Sequence, residues 1–390
     1  KPHHRQVKAT TMLLEFFYQK TGLFLLNSRL FSTAFATLAS FLVAMLAFPP
    51  YIRFLRTAGF SSEFDVNKGK GEPVMPAGLL FLAIMVFIAL ITARFNSYVI
   101  SALVIYTFFS VIGGLDDIAK VLNKRRLARG EITREDYQYK ADGISTSLRL
   151  TLYILISFGV AIASYKYIPN INGRITIPFL STEKTFPYMP FWLFIPLMTL
   201  TIAVLANGVN FTDGIDTLAA VPLVTSYTFV GLVAYISSNE VWTRYLLIPH
   251  IPGVEEILPL VGCVIGVLLA FLWFNSPPST IIMGDSGSVG LGGMMAIMFV
   301  FIKAEFYLPL VGFVFMLEFM SDIVQIGWFK ATGKRFFRMA PIHHHFHLTM
   351  RQNPFYGKND FFIRSKIRWR YHIISVIFLV IGLILFLKVR

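Results

Sequence analysis

Long apolar runs recur along this chain with almost no charge inside them, and no other feature restricts its fold as strongly. The last of them, "IISVIFLVIGLILFL" at 373–387, holds no charged or amide side chain. A helix needs roughly 18 to 20 such residues to cross a hydrocarbon core of about 30 Å, where no water can satisfy an exposed backbone group. An all-α integral membrane protein is therefore expected. Composition agrees, since 55% of the 390 residues are hydrophobic and only 14% are charged, far from the usage of a soluble domain. The alternating ten-residue segments of an outer-membrane barrel are absent.

About ten spans are expected, near 31–48, 75–94, 98–114, 148–165, 190–207, 218–237, 256–274, 288–303, 306–328 and 371–388. An even number puts both termini on one side. The loops 49–74, 115–147, 208–217, 275–287 and 329–370 then share the opposite face, and with Arg149 they hold about 22 of the 35 Lys and Arg. Positive loops stay inside, so that face is read as cytoplasmic and both termini as outside. On the outer face, "INGRITIPFL" at 171–180 alternates apolar and polar residues between turn formers and predicts a short exterior β-hairpin. Residues 1–30 read as an N-terminal interfacial helix region without a cleavage site, and 31–390 as a single transmembrane domain. The one cysteine, Cys263, lies inside an apolar run and has no disulfide partner.

The formal net charge of +14 does not point to nucleic acid, because the basic residues sit in loops between apolar helices. Anionic membrane lipid and phosphorylated substrates are the partners that such loops attract. "ATGKRF" lacks the first glycine of a Walker phosphate loop.

Three segments carry carboxylates where a membrane protein avoids them. In "GGLDDIAK", 113–120, Asp116 and Asp117 stand one turn before Lys120, so the trio can bind a divalent cation and meet a phosphate, or merely form a charged helix end. In "NGVNFTDGIDTLAA", 207–220, Asn207, Asn210, Asp213 and Asp216 repeat every three residues with no cation nearby. They suit a ligand, or caps for two helices. In "NSPPSTIIMGDSGSVGLGG", 275–293, Asp285 opens a Gly-rich span, as an N-cap or beside amides that could take an anion. All three fall on one face, and hard oxygen donors without thiolates suit Mg²⁺. Glu318 and Asp322, one turn apart, should point into the bundle or a wet cleft, and the run is expected to break near "EFMSD", leaving a groove for an apolar chain.

"MAPIHHHFHL", 339–348, concentrates four of the eight histidines. Imidazole is a common metal ligand, but three consecutive side chains on an extended loop cannot all face one ion. Beside Lys334, Arg335 and Arg338 the segment reads better as part of an anion-binding wall whose N–H groups hold phosphate oxygens.

"GGLDDIAK", "NGVNFTDGIDTLA", "FNSPPSTIIMGDSGS" and "MAPIHHHFHL" occur together in that order. From about residue 31 onward the chain thereby resembles the phospho-N-acetylmuramoyl-pentapeptide transferases, the bacterial translocases I among the polyprenyl-phosphate N-acetylhexosamine-1-phosphate transferases. The resemblance implies ten transmembrane helices, a cytoplasmic active-site cleft, Mg²⁺ dependence and a homodimer in the bacterial inner membrane. It implies that undecaprenyl phosphate attacks UDP-N-acetylmuramoyl-pentapeptide, giving lipid I and UMP. Carried over by position, the catalytic group would be Asp116, Asp117, Asp285 and His343, with Asp285 as metal ligand. Substrate contacts would come from Lys120, Arg149, Asn207, Asn210, Asp213, Gly214, Asp216, Asn275, His344 and His345.

The chain departs from that pattern in four places. Val74 and an extra proline alter "PVMPAG" at 73–78. Ile282 stands where an aromatic ring would stack on uracil, "RRLARGEITREDYQYKAD" at 125–142 enlarges a loop so that Arg149 replaces a lysine, and His347 replaces an acid. Two other readings are an N-acetylglucosamine-1-phosphate transferase acting on the same lipid and a proton-coupled transporter. The acids lie at the ends of spans and no inverted repeat is visible, which speaks against transport.

Overall fold

The computed structural model describes residues 13–60, 73–133, 143–168, 171, 173, 175–176, 188–356 and 359–387. Its helices are α1 (Leu13–Thr21), α2 (Arg29–Thr57), α3 (Gly78–Thr92), α4 (Ser97–Ala128), α5 (Thr146–Tyr167), α6 (Phe191–Thr212), α7 (Ala220–Ser237) and α8 (Glu240–Leu246). They continue with α9 (Leu258–Asn275), α10 (Gly284–Phe301), α11 (Leu308–Val311), α12 (Phe313–Thr332), α13 (Ile342–Gln352) and α14 (Asp360–Leu387).

Each of the ten expected spans falls on a helix, but fewer are long enough to cross alone. Among the described residues eight helices pass on length and hydropathy, and a ninth is counted if a bent pair, Glu305–Val311 with Phe313–Thr332, is one span. The remaining apolar helix, α3, has 15 residues, or about 22 Å at 1.5 Å per residue. What stops it is the segment 93–96. Asn96 accepts from the Val99 amide at 3.0 Å and starts α4, while Arg94 donates to Asn27 at 2.6 Å.

Among the described residues there is no strand. Much of the expected hairpin at 171–180 lies outside the described residues. Of the rest, Ile171, Gly173, Ile175 and Thr176 are not in a strand, and Gly173 accepts one bond from the Met189 amide at 2.8 Å.

Small residues explain how the helices meet. Lipid is as apolar as leucine, so close backbone packing must hold membrane helices together. On α2, Ser32, Ala36, Ser40, Ala44, Phe48 and Ile52 recur every four residues and are buried, whereas Leu38, Leu42 and Leu46 are exposed. The buried row meets α9 at Gly262 and Gly266, where an added Cβ would lie 2.6 Å from the Thr33 carbonyl oxygen and 2.2 Å from that of Thr37.

Helix α10 is the axis of the bundle. All of its residues are buried, and α3, α4, α6 and α7 pack around it. A side chain at Gly78 would stand 2.0 Å from the Gly287 amide nitrogen, and one at Gly113 would stand 2.5 Å from the Asp285 carbonyl oxygen. Gly113 thus lets the end of α4 lie against the start of α10, bringing the acids of "GGLDD" beside Asp285.

The break in the ninth run is sharp but displaced from its expected position. The two pieces meet at 84°, at Gly312 rather than near "EFMSD". Pro309 starts α11, Gly312 (φ −87, ψ 23) ends it, and α12 then runs without interruption through Glu318 to Asp322. Glu318 is fully buried, as expected for an acid that avoids lipid.

Candidate active site

The first expected cluster forms where α4, α5 and α10 meet. Asp116 is fully buried. Its Oδ1 accepts from the Ile144 amide at 2.8 Å. Its Oδ2 lies 2.7 Å from Lys120 Nζ and 2.5 Å from Arg149 Nη1. The same two nitrogens stand 3.0 Å and 2.6 Å from Asp285 Oδ2. Two carboxylates from different helices therefore converge on two cations, and the four formal charges cancel. The i,i+4 spacing of Asp116 and Lys120 makes half of this legible in the sequence. Arg149, 33 residues from Asp116, is reached only through the resemblance.

Asp117 does something else. Its Oδ1 accepts from the Asp285 amide and its Oδ2 from the Ser286 amide, both at 3.0 Å. It supplies the first turn of α10 with the acceptor that its own preceding residue, Met283, does not provide. Asp285 is therefore not the N-cap of this span, and the amides expected to be open to an anion are already occupied by Asp117.

A second contact, between two extended segments, locks the approach to Asp285. The Val74 amide donates to Thr280 at 3.1 Å and the Ile282 amide to Val74 at 2.8 Å. The altered "PVMPAG" segment thus braces the chain just before α10 through backbone atoms, with the Val74 side chain buried.

The Asn and Asp motif divides. Asn207 donates to Ala203 of its own helix at 2.8 Å, and the Asn210 carbonyl accepts from the Asp213 amide at 3.1 Å. Asp213 lies near the start of α10. Surrounding protein, then the charge of Asp285, push its carboxyl well above the usual carboxylate range against the pull of the Gly284 amide. Asp216 lies 3.9 Å from Arg368 of α14. Asn275, expected in a substrate pocket, is 2% exposed and ties two loops together: its Oδ1 accepts from Thr217 at 2.7 Å and its Nδ2 donates to Ile281 at 2.8 Å.

The histidine segment is helical, not an extended loop. Pro341 precedes α13, and the backbone winds from Ile342 onward, so successive rings point different ways. His343 is buried, with Nδ1 3.0 Å from Glu318 Oε2. The His344 ring lies 4.1 Å from that of His343. Burial, then the charges of His343, His347 and Arg364, lower the His344 pKa to about 4. His345 Nδ1 accepts from the Arg338 amide at 3.1 Å. His347 Nε2 lies 3.3 Å from Asp360, yet burial outweighs that carboxylate and holds its pKa below the usual value. Lys334, Arg335 and Arg338 are exposed, and the Arg338 guanidinium is taken by Gln352, so the basic wall around the histidines is looser than expected.

Sequence reasoning does not find the last helix as a contributor. Tyr371 donates to Glu318 at 2.5 Å, His372 Nε2 lies 3.1 Å from the Thr217 carbonyl oxygen, and Arg368 faces Asp216. Polar residues at 368, 371 and 372 share one helical face at the start of the last span. That spacing is the available signal.

Among the described residues no group of three or more His, Cys, Asp or Glu could hold a metal ion. A closed protein cage is therefore not formed by them. The Asp116 and Asp285 oxygens do converge, and Mg²⁺ is commonly held by one or two carboxylates with substrate phosphates and water completing the shell. The donor set fits that ion.

Fold and site together define a polytopic helical membrane protein with a buried cluster of acids and bases at one end of its axial helix. Residues 99–303 match glycosyl transferase family 4, from the start of α4 to just past the end of α10. The chain is also 34% identical, over 97% of its length and 100% of the relative, to the phospho-N-acetylmuramoyl-pentapeptide-transferase of a Nitratiruptor species. The chain belongs to glycosyl transferase family 4.

Proposed function

We propose that this chain transfers phospho-N-acetylmuramoyl-pentapeptide from its UDP-linked form to undecaprenyl phosphate, giving lipid I and UMP. The observation that carries the reading is the convergence of Asp116 and Asp285 on Lys120 and Arg149. The 34% identical relative named for this activity supports it over nearly the whole chain.

An oxygen of the lipid phosphate attacks the β-phosphorus, the bond from that phosphorus to the bridging oxygen breaks, and UMP leaves with the electron pair. Both reactants are anions, so neutralisation precedes chemistry. Lys120 and Arg149 balance Asp116 and Asp285 before substrate arrives, and they offer phosphate oxygens two positive charges at one point afterwards. Asp285, with Asp116, would hold Mg²⁺, which supplies Lewis-acid neutralisation of the diphosphate when bound. Asp116 borders the lipid phosphate. With a second pKa of about 6, that phosphate is largely dianionic at pH 7, and a general base is helpful rather than required. Asp117 sets the position of Asp285, and His343 presents a ring nitrogen to the diphosphate.

The same reading places the cluster in a cleft on the cytoplasmic face of the bacterial inner membrane and both termini outside. It makes the short α3 a tenth span accommodated by local thinning of the bilayer, residues 1–30 an interfacial region, and the protein a homodimer. The excess of Lys and Arg in the loops on the cluster's face supports the orientation.

The test is UMP release by purified protein given undecaprenyl phosphate and Mg²⁺ with either of two UDP-sugars. Turnover is expected with UDP-N-acetylmuramoyl-pentapeptide. Turnover with UDP-N-acetylglucosamine alone would reassign the chain to the sibling reaction, and chelation of Mg²⁺ without effect would remove the metal from the account.

A further inference from the structure

Glu318 lies outside the carboxylate cluster, is fully buried, and is committed on both oxygens. Its Oε2 lies 3.0 Å from His343 Nδ1, and its Oε1 accepts from the Tyr371 hydroxyl at 2.5 Å. A further link fixes the two helices in register. The Ser321 hydroxyl donates to the Glu318 carbonyl at 2.6 Å and accepts from the Ile342 amide at 3.0 Å, at the start of α13. Three helices therefore meet on one carboxylate: α12 carries it, α14 brings the phenol and α13 the imidazole.

The other end of that ring is unsatisfied. His343 is 1% exposed, yet its Nε2 has no hydrogen-bond partner. Buried polar atoms are almost always paired, so an orphan calls for an explanation. Nε2 is aimed at Gly214, where an added Cβ would stand 2.5 Å from it. Gly214 is exposed, in the turn between α6 and α7 that also carries Asp213 and Asp216. The nitrogen thus looks across a residue with no side chain toward the surface of the motif.

We infer that Glu318 and Tyr371 are positioning residues that fix the His343 ring with Nδ1–H on the carboxylate, so that Nε2 is presented past Gly214 to a phosphate oxygen of the substrate. This rests on the proposed transferase reading for the identity of the phosphate. An ionised carboxylate can only accept, so the bond to Glu318 requires the proton on Nδ1. Second-layer carboxylates fix histidine tautomers in the same manner at metal sites. With Nδ1–H held by the carboxylate, Nε2 carries the lone pair, and a proton delivered by solvent water or by a protonated phosphate of the substrate joins it to the phosphate oxygen. Tyr371 holds the far oxygen of Glu318 and keeps the carboxylate plane directed at the ring. Gly214 is required because any side chain there would occupy the path.

Two measurements test this. In steady-state UMP release, Glu318→Gln should lower kcat at least tenfold with KM for undecaprenyl phosphate changed less than twofold, and Tyr371→Phe should lower kcat by a smaller factor. Because Glu318 acts through the ring, Glu318→Gln should add nothing in a His343→Gln background. Full additivity of the two substitutions, or an unchanged kcat in Glu318→Gln, overturns the inference. The second measurement is independent of turnover. Nitrogen NMR of histidine-labelled protein, with the His343 signals assigned by their loss in His343→Gln, should show Nδ1 protonated at neutral pH. A ring bare at Nδ1 and protonated at Nε2 overturns it. If the wild type shows no UMP release while Nδ1 is protonated, the transferase reading fails and the positioning of His343 by Glu318 stands.

Discussion

Two buried polar regions of this molecule handle the same problem in opposite ways. Around Asp285, two carboxylates face two cations, and Asp117 is spent on the amides of α10. Around His343, one side of the ring is held by Glu318 and Tyr371 while Nε2 is left without a partner. A satisfied cluster must exchange partners when an anion arrives, because its cations are already engaged. An orphaned nitrogen needs no such exchange. The first region therefore governs how much charge the site can neutralise, and the second contributes a preset contact.

That contrast predicts a ranking. The largest effect belongs to Asp285→Asn, which removes the charge that gathers both cations; UMP release should fall by about a thousandfold, the scale of losing a major electrostatic contributor. Next is Arg149→Met. It unbalances Asp116 and Asp285 together and should cost about a hundredfold in kcat/KM, with Arg149→Lys recovering part of it through the restored charge. Equal activity in Arg149→Met and Arg149→Lys would show that charge balance is not what the cluster provides.

Asp117→Ala should act chiefly on stability. Losing an acceptor for two first-turn amides costs about 1 to 2 kcal/mol, readable as a lower unfolding temperature in detergent. Wild-type stability would mean that Asp117 is not what holds those amides in place.

The smallest effect concerns pH. His344 titrates near 4 in the folded protein, below the ordinary value of 6.5, so the unfolded chain takes up the proton first. Its contribution to stability is unaffected above pH 6.5 and turns increasingly unfavourable as pH falls from 6.5 toward 4. His344→Gln should therefore lose less thermal stability than the wild type over that window and match its pH response above it. A larger acid loss in the variant would reverse the assigned sign.

Much of the membrane architecture is legible without the structure, for physical reasons visible in particular residues. Spans such as α9 and α14 announce themselves because hydrocarbon tolerates few polar groups. The small residues that let α2 approach Gly262 and Gly266 repeat at helical spacing. The short α3 reads as longer because its apolar run continues to Ala93, while the bond from Arg94 to Asn27 that accompanies its end joins residues 67 apart. Asp116, Lys120 and Asp285 are legible from local spacing and from the resemblance. The role of Asp117 is not, since nothing in "LDD" reveals that the amides 168 and 169 residues later lack acceptors. The pairing of Glu318 with His343 and Tyr371 is hidden for the same reason: it spans 25 and 53 residues. Periodicity reports which face of a helix is apolar, but not which distant helix supplies its partner.

The most direct measurement is UMP release from UDP-N-acetylmuramoyl-pentapeptide and undecaprenyl phosphate by equal amounts of folded wild-type and Asp285→Asn protein. The account predicts release matched by lipid I formation in the wild type and a loss of about a thousandfold in the variant. Equal release by both would contradict it.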